Sequence, residues 1–150
     1  MDSLHDAGVV AGPAPGLTGR THRPRGLAAT GFIATLATVA ATTLAAALAQ
    51  AVGVDFEVAD GEAIPLSGIA VVTGFFSAVG VLMAAAFLRR SARPSERFVW
   101  TAVSLTAISL VPPLLAEADP ATTAALMGLH LVAAAVMIPT LARSLRTRTS

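Results

Sequence analysis

LAATGFIATLATVAATTLAAALAQAV, residues Leu27–Val52, contains no charged side chain, and its reading decides the fold. A hydrocarbon core of about 30 Å needs roughly 20 residues at 1.5 Å of helical rise each, and this stretch is longer than that. Working outward, three further stretches lack any charge: Ile64–Leu88, Phe98–Leu115 and Ala121–Leu141. The first two of the four are long enough to tilt in the bilayer, while the third is barely long enough to cross it. The expected fold is therefore all-α, a bundle of four transmembrane helices.

Composition supports this. Of 150 residues, 55% are hydrophobic and 13% charged, against about 25% charged in an ordinary soluble domain. Mean hydropathy is +0.74, which excludes a typical soluble globule. Cysteine is absent, so disulfides, thiolate metal sites, iron–sulfur clusters and a cysteine nucleophile are excluded. Two of the three histidines, His5 and His22, precede the first apolar stretch, leaving His130 as the lone histidine within one. A multi-histidine metal centre inside the membrane cannot be assembled from that, and neither a metal nor a cofactor is expected. Residues 1–25 are rich in Gly and Pro and read as a disordered cytosolic tail, with the membrane domain occupying 26–150.

All ten basic residues are arginines, and their positions alternate with the acids. Arg20, Arg23 and Arg25 precede the first helix; Arg89, Arg90, Arg93 and Arg97 follow the second; Arg143, Arg146 and Arg148 follow the fourth. The other two connections hold Asp55, Glu57, Asp60, Glu62, Glu117 and Asp119 and no base. Arginine in short loops is retained in the cytoplasm, so both termini are expected there, in a multi-pass protein of the bacterial plasma membrane. The first apolar run exceeds the 7–15 residues or so of a signal-peptide core, so it is expected to be retained as a helix despite the Ala-X-Ala sequences near its end. The arginine clusters are expected to contact anionic lipid head groups, and nucleic acid is not needed to explain them.

Three features bear on chemistry. His130 lies about 14 Å along its helix from Ala121, close to the bilayer midplane, where ionisable groups are costly and functional by default. At similar depth lie Thr38, Thr73, Ser77, Thr106 and Ser109, and of these Thr38, Ser77, Thr106 and Ser109 form with His130 the candidate ligand or proton site; no Asp or Glu reaches that layer to orient an acid–base histidine. The purely structural alternative is a histidine hydrogen-bonding to Ser or Thr between helices. Pro112 and Pro113 remove two amide donors and free the carbonyls of Ile108 and Ser109, so the third helix either breaks to expose backbone oxygen or stops early. Pro139 is expected to kink the fourth helix.

The second feature is the outer acidic loop, Asp55, Glu57, Asp60 and Glu62 with Glu117 beyond the third helix, which could attract a cation or a basic partner. Its order of residues does not reproduce a calcium loop, and Val54, Phe56 and Val58 alternating with Asp55 and Glu57 read as a short extended segment with one apolar edge. Asp119 before Pro120 reads as the N-cap of the fourth helix. The third feature is small residues at packing spacing: Thr73, Ser77, Gly80 and Ala84 in the second helix, and Ala124 and Gly128 in the fourth. Phe87, Phe98 and Trp100 read as an aromatic belt at the arginine side.

The succession of an Ala/Thr-rich first helix, GVDFEVADGEAIPLSG (53–68), the arginine loop, SLVPPLLAEAD (109–119) and LHLVAAAVMIPTLAR (129–143) resembles a small actinobacterial four-helix membrane family catalogued as a domain of unknown function. The resemblance spans about residues 26–146. It implies the four-helix architecture and a GC-rich genome behind the Ala- and Arg-rich composition, and it implies no activity. The leading expectation is a non-catalytic structural or accessory component with a protein partner or a homo-oligomeric state. Binding or transport of a small molecule or proton around His130 is the alternative, and an intramembrane enzyme on a lipid-like substrate, using His130 or Glu117, is the third.

Overall fold

A computed structural model describes residues 22–58 and 61–149 of the chain. Among them run α1 (His22–Ala51), a hairpin of β1 (Glu57–Val58) and β2 (Glu62–Ala63), α2 (Leu66–Arg90), α3 (Pro94–Ser109), α4 (Val111–Leu115) and α5 (Pro120–Thr149). Four segments are long and apolar enough to cross a membrane: Gly26–Ala51, Leu66–Arg90, Pro94–Leu115 and Pro120–Arg148. The expected all-α four-helix architecture is what is found.

Small side chains line much of the helix contacts, large ones such as Phe56, Phe98, Leu141 and Leu145 fill the two ends of the interior, and many other large ones cover the outside. Ala34, Ala46, Ala84, Ala102 and Ala142 are buried together with Thr38, Thr42 and Ser77, whereas Phe32, Leu36, Phe75, Phe76, Leu82 and Ile108 are exposed. Lipid is as apolar as leucine, so large side chains gain little by turning inward, and helices approach most closely where small residues let their backbones meet. Gly31 shows how close that approach is, since a Cβ there would lie 2.5 Å from Cγ1 of Val81 on α2. Helix α1 packs on α2 and α5, and α3 packs on α5 and α2.

Helix limits differ from the sequence expectation for identifiable reasons. Helix α1 starts at His22, so the last residues of the expected tail are helical; Pro24 is tolerated because a first turn uses no amide donors. The rest of the tail, residues 1–21, lies outside the described residues. Helix α3 begins at Pro94 rather than Phe98, which places Glu96 and Arg97 in its first turns. The prolines neither stop the third span nor let it run on. It breaks at Leu110 and restarts as α4, whose opening turn carries Pro112 where a missing amide costs nothing. Helix α5 continues past the expected Leu141 to Thr149 because Leu141, Ala142 and Leu145 are buried in a cluster with Phe98 and Ala102, and Ser95 Oγ donates to the Ala142 carbonyl at 3.2 Å.

Two packing expectations are corrected. Phe98 is 1% exposed and belongs to the core, leaving exposed Trp100 two residues on at the perimeter. Ala124 faces outward and a Cβ on Gly128 would meet nothing within 4 Å, because the inward face of α5 at that level is formed by Ala125, Leu126 and Leu129. The α2 face behaves as expected: Ser77 and Ala84 are buried, and Gly80 approaches Met137.

Candidate functional site

Two apolar clusters occupy the ends of the bundle. One, at the arginine end, gathers Ala34, Ala84, Phe98, Met137 and Leu141; the other, at the acidic end, gathers Ala46, Phe56, Ile69 and Leu129. The candidate residues lie between them. Thr38 Oγ1 donates to the Ala34 carbonyl at 2.8 Å, Thr42 Oγ1 to Thr38 at 2.9 Å, Thr106 Oγ1 to Ala102 at 2.8 Å and Ser109 Oγ to Thr106 at 2.7 Å. Each of these hydroxyls serves a carbonyl of its own helix, the local bond that Ser and Thr make when no water competes. Across helices, the Thr42 and Thr73 hydroxyls meet at 3.4 Å and join α1 to α2. Ser77 is buried on α2 at a neighbouring level.

His130 is half-buried, and its Nδ1 lies 2.7 Å from the Leu126 carbonyl one turn back on α5. A carbonyl only accepts, so Nδ1 carries the proton in this bond. Among the described residues Nε2 has no hydrogen-bond partner. The structure therefore does not bring the five hydroxyls and His130 into one hydrogen-bonded constellation. Thr38, Thr106, Ser109 and His130 are each bonded within their own helix, whereas Thr73 meets Thr42 across helices.

The acidic end is more ordered than a plain connecting loop. Helix α1 ends in a Schellman motif: Gly53, at φ +94°, donates to Gln50 at 3.0 Å and Val54 donates to Ala49 at 3.0 Å. The chain then alternates as expected, with Val54, Phe56 and Val58 turned inward and Asp55 and Glu57 outward. Glu57 pairs with Ala63 and Val58 with Glu62, and Gly61 at φ +74° closes the three residues between the strands. Phe56 is fully buried against α1, α2 and α5 and holds φ +53°, a left-handed conformation that costs a bulky residue. It plugs the acidic end of the bundle. Sequence reasoning found the apolar edge through its period of two but had no signal for the left-handed backbone or the depth of the ring.

Asp55, Glu57 and Glu62 point into solvent, and Asp60 lies outside the described residues. Glu117 is exposed at φ +49° in the turn from α4 to α5. Among the described residues no three His, Asp or Glu side chains converge as metal ligands would. Asp119 caps α5, its Oδ1 accepting the Ala121 amide at 2.8 Å and the Thr122 amide at 3.2 Å, with Pro120 opening the helix. The Thr122 side chain and amide, and then the Ala121 amide, hold the Asp119 carboxyl below the usual carboxylate range.

Compared with known proteins, residues 22–147 match a family model described as a family of unknown function (DUF6069). No curated protein and no solved structure matches the chain.

Proposed function

The chain belongs to the family of unknown function DUF6069, and from its four spans and their interior we propose a non-catalytic role, as a small structural or accessory component of a bacterial plasma membrane. The observation that carries this reading is the local bonding of the polar groups within the spans. Thr38, Thr42, Thr106, Ser109 and His130 each engage a carbonyl of their own helix, so they do not converge on a shared ligand, and Thr42 with Thr73 joins α1 to α2. In this reading both termini face the cytoplasm, because every arginine falls before the first charge-free stretch, between the second and third, or after the fourth, and the other two connections hold acids and no base.

A second reading has one specific observation behind it. With Nδ1 committed to Leu126, the Nε2 of His130 is left to accept or exchange a proton, so a small molecule or proton could be handled there. Native mass spectrometry of gently solubilised wild-type protein beside His130→Ala separates the two. The structural reading expects the same species in both forms, a protein partner or further copies of the chain included. A defined small molecule that is stoichiometric in the wild type and lost in the variant would overturn it in favour of the second.

A further inference from the structure

We propose that the arginine end of α3 is a binding site for one anionic phospholipid. The turn from α2 to α3 and the first turns of α3 border a groove of about 500 Å³ lined by Phe87, Arg93, Glu96, Arg97, Trp100 and Thr101. Four of these residues are ordered by helical spacing. Arg93 and Arg97 are four apart, and Trp100 and Thr101 follow at three and four, so guanidinium, guanidinium, indole and hydroxyl succeed one another down one face of α3. A phospholipid presents the complementary order along its length: an anionic phosphate, a polar ester region, then an acyl chain.

Each level of the groove suits one part of that molecule. Arginine forks match phosphate oxygens bidentately. Arg93 shares its charge with Glu96 at 3.6 Å, while Arg97 has no acidic partner among the described residues, so the groove keeps a net positive charge. Arg89 and Arg90 at the end of α2 add to it. Trp100 is 70% exposed, at the point where the polar end of α3 passes into its apolar length. Indole rings favour that depth, and with Phe87 it supplies an apolar wall for the upper acyl chain. The site depends on the helices spanning a bilayer, and holds for either orientation of the chain and for either reading of His130.

Trp100 is the only tryptophan of the chain, so its fluorescence reports the site directly. The full-length protein is reconstituted in vesicles of zwitterionic phosphatidylcholine containing a fixed fraction of brominated phosphatidylglycerol or of brominated phosphatidylcholine. The proposal expects stronger quenching by the anionic bromolipid at equal mole fraction, an enrichment of roughly fivefold per engaged arginine. Arg97→Gln should abolish the preference while leaving quenching by brominated phosphatidylcholine unchanged. Arg89→Gln with Arg90→Gln, which removes more charge outside the groove, should leave most of it. Equal quenching by the two lipids in the wild type would overturn the proposal. So would a preference that follows total charge rather than Arg97, which marks diffuse attraction to the surface. Loss of the preference on adding inorganic phosphate, but not chloride of equal ionic strength, would overturn it by making a soluble phosphate the occupant.

Discussion

Truncating Phe56 should do more damage than its place in a short connecting loop suggests. The ring is fully buried beside Ala46, Ile69 and Leu129, where three helices meet the hairpin. Phe56→Ala removes about 100 Å³ of side chain, and at roughly 24 cal/mol per Å³ of unfilled cavity the loss is about 2.4 kcal/mol. Water entering at the acidic end adds the transfer cost of the ring, so the expected range runs up to the 3–5 kcal/mol or so typical of phenylalanine truncation. The backbone supplies a second, independent signature. At φ +53° an L-residue is strained by about 1–2 kcal/mol and glycine is not. Phe56→Gly should therefore be more stable than Phe56→Ala by about 1 kcal/mol, the reverse of the usual order. Reversible unfolding of the detergent-solubilised protein by titration with dodecyl sulfate, followed by Trp100 fluorescence and circular dichroism, measures both. A loss below about 1 kcal/mol for Phe56→Ala would refute the plug, and a glycine variant weaker than the alanine variant would refute the left-handed backbone.

Two further outcomes follow from the same geometry. Gly31→Ala forces its new methyl against stiff Val81, which should cost about 1–3 kcal/mol, and Val81→Ala in the same chain should restore most of it; additive losses in that double-mutant cycle would show that the two residues do not touch. Because the folded state holds the Asp119 carboxyl below its ordinary value of 3.8, its contribution is present above that pH and disappears as pH falls through the lower folded value. Wild type should thus lose thermal stability below about pH 4 by more than Asp119→Asn, which keeps the capping oxygen without the titration, and identical acid profiles would remove the capping charge from the account.

The number and order of the spans were legible in the sequence, and rotation about each helix axis was much less so. Spans, loops and the segregation of arginine from acid are one-dimensional properties, read from where charge stops and starts. The faces turned inward are an azimuthal property. A soluble helix advertises its inner face by hydrophobicity, whereas a helix apolar all round does not. That is why Phe98 could be taken for a perimeter aromatic when it is core, and why Ala124 and Gly128 could be taken for a packing face when they are open. The signal that does survive is size. Ala34, Thr38, Thr42 and Ala46 recur every four residues down α1 and are all buried, the same rule that selected Ser77 and Ala84 on α2. Size alone is ambiguous wherever small residues occur on more than one face, as on α5.

The same distinction explains what could be said of His130. Sequence reading put it at the level of the hydroxyls by counting residues along each span, and such a count does not determine partners. In lipid, a hydroxyl or imidazole on a helix has an acceptor close by in the carbonyl a turn back, and several here take that bond where no neighbouring helix offers a better one. Thr42 and Thr73 do meet across helices; Thr106, Ser109 and His130 find their acceptors at home. A layer of polar residues at one depth is therefore weak evidence of a shared site, because local bonding satisfies each member separately. Convergence must come from groups whose local options are exhausted, and at the arginine end that condition is met. Arg93 at the N-cap of α3 and Arg97 in its first turns outnumber the single carboxylate of Glu96, and the proposed lipid phosphate is the group that would answer the remaining positive charge.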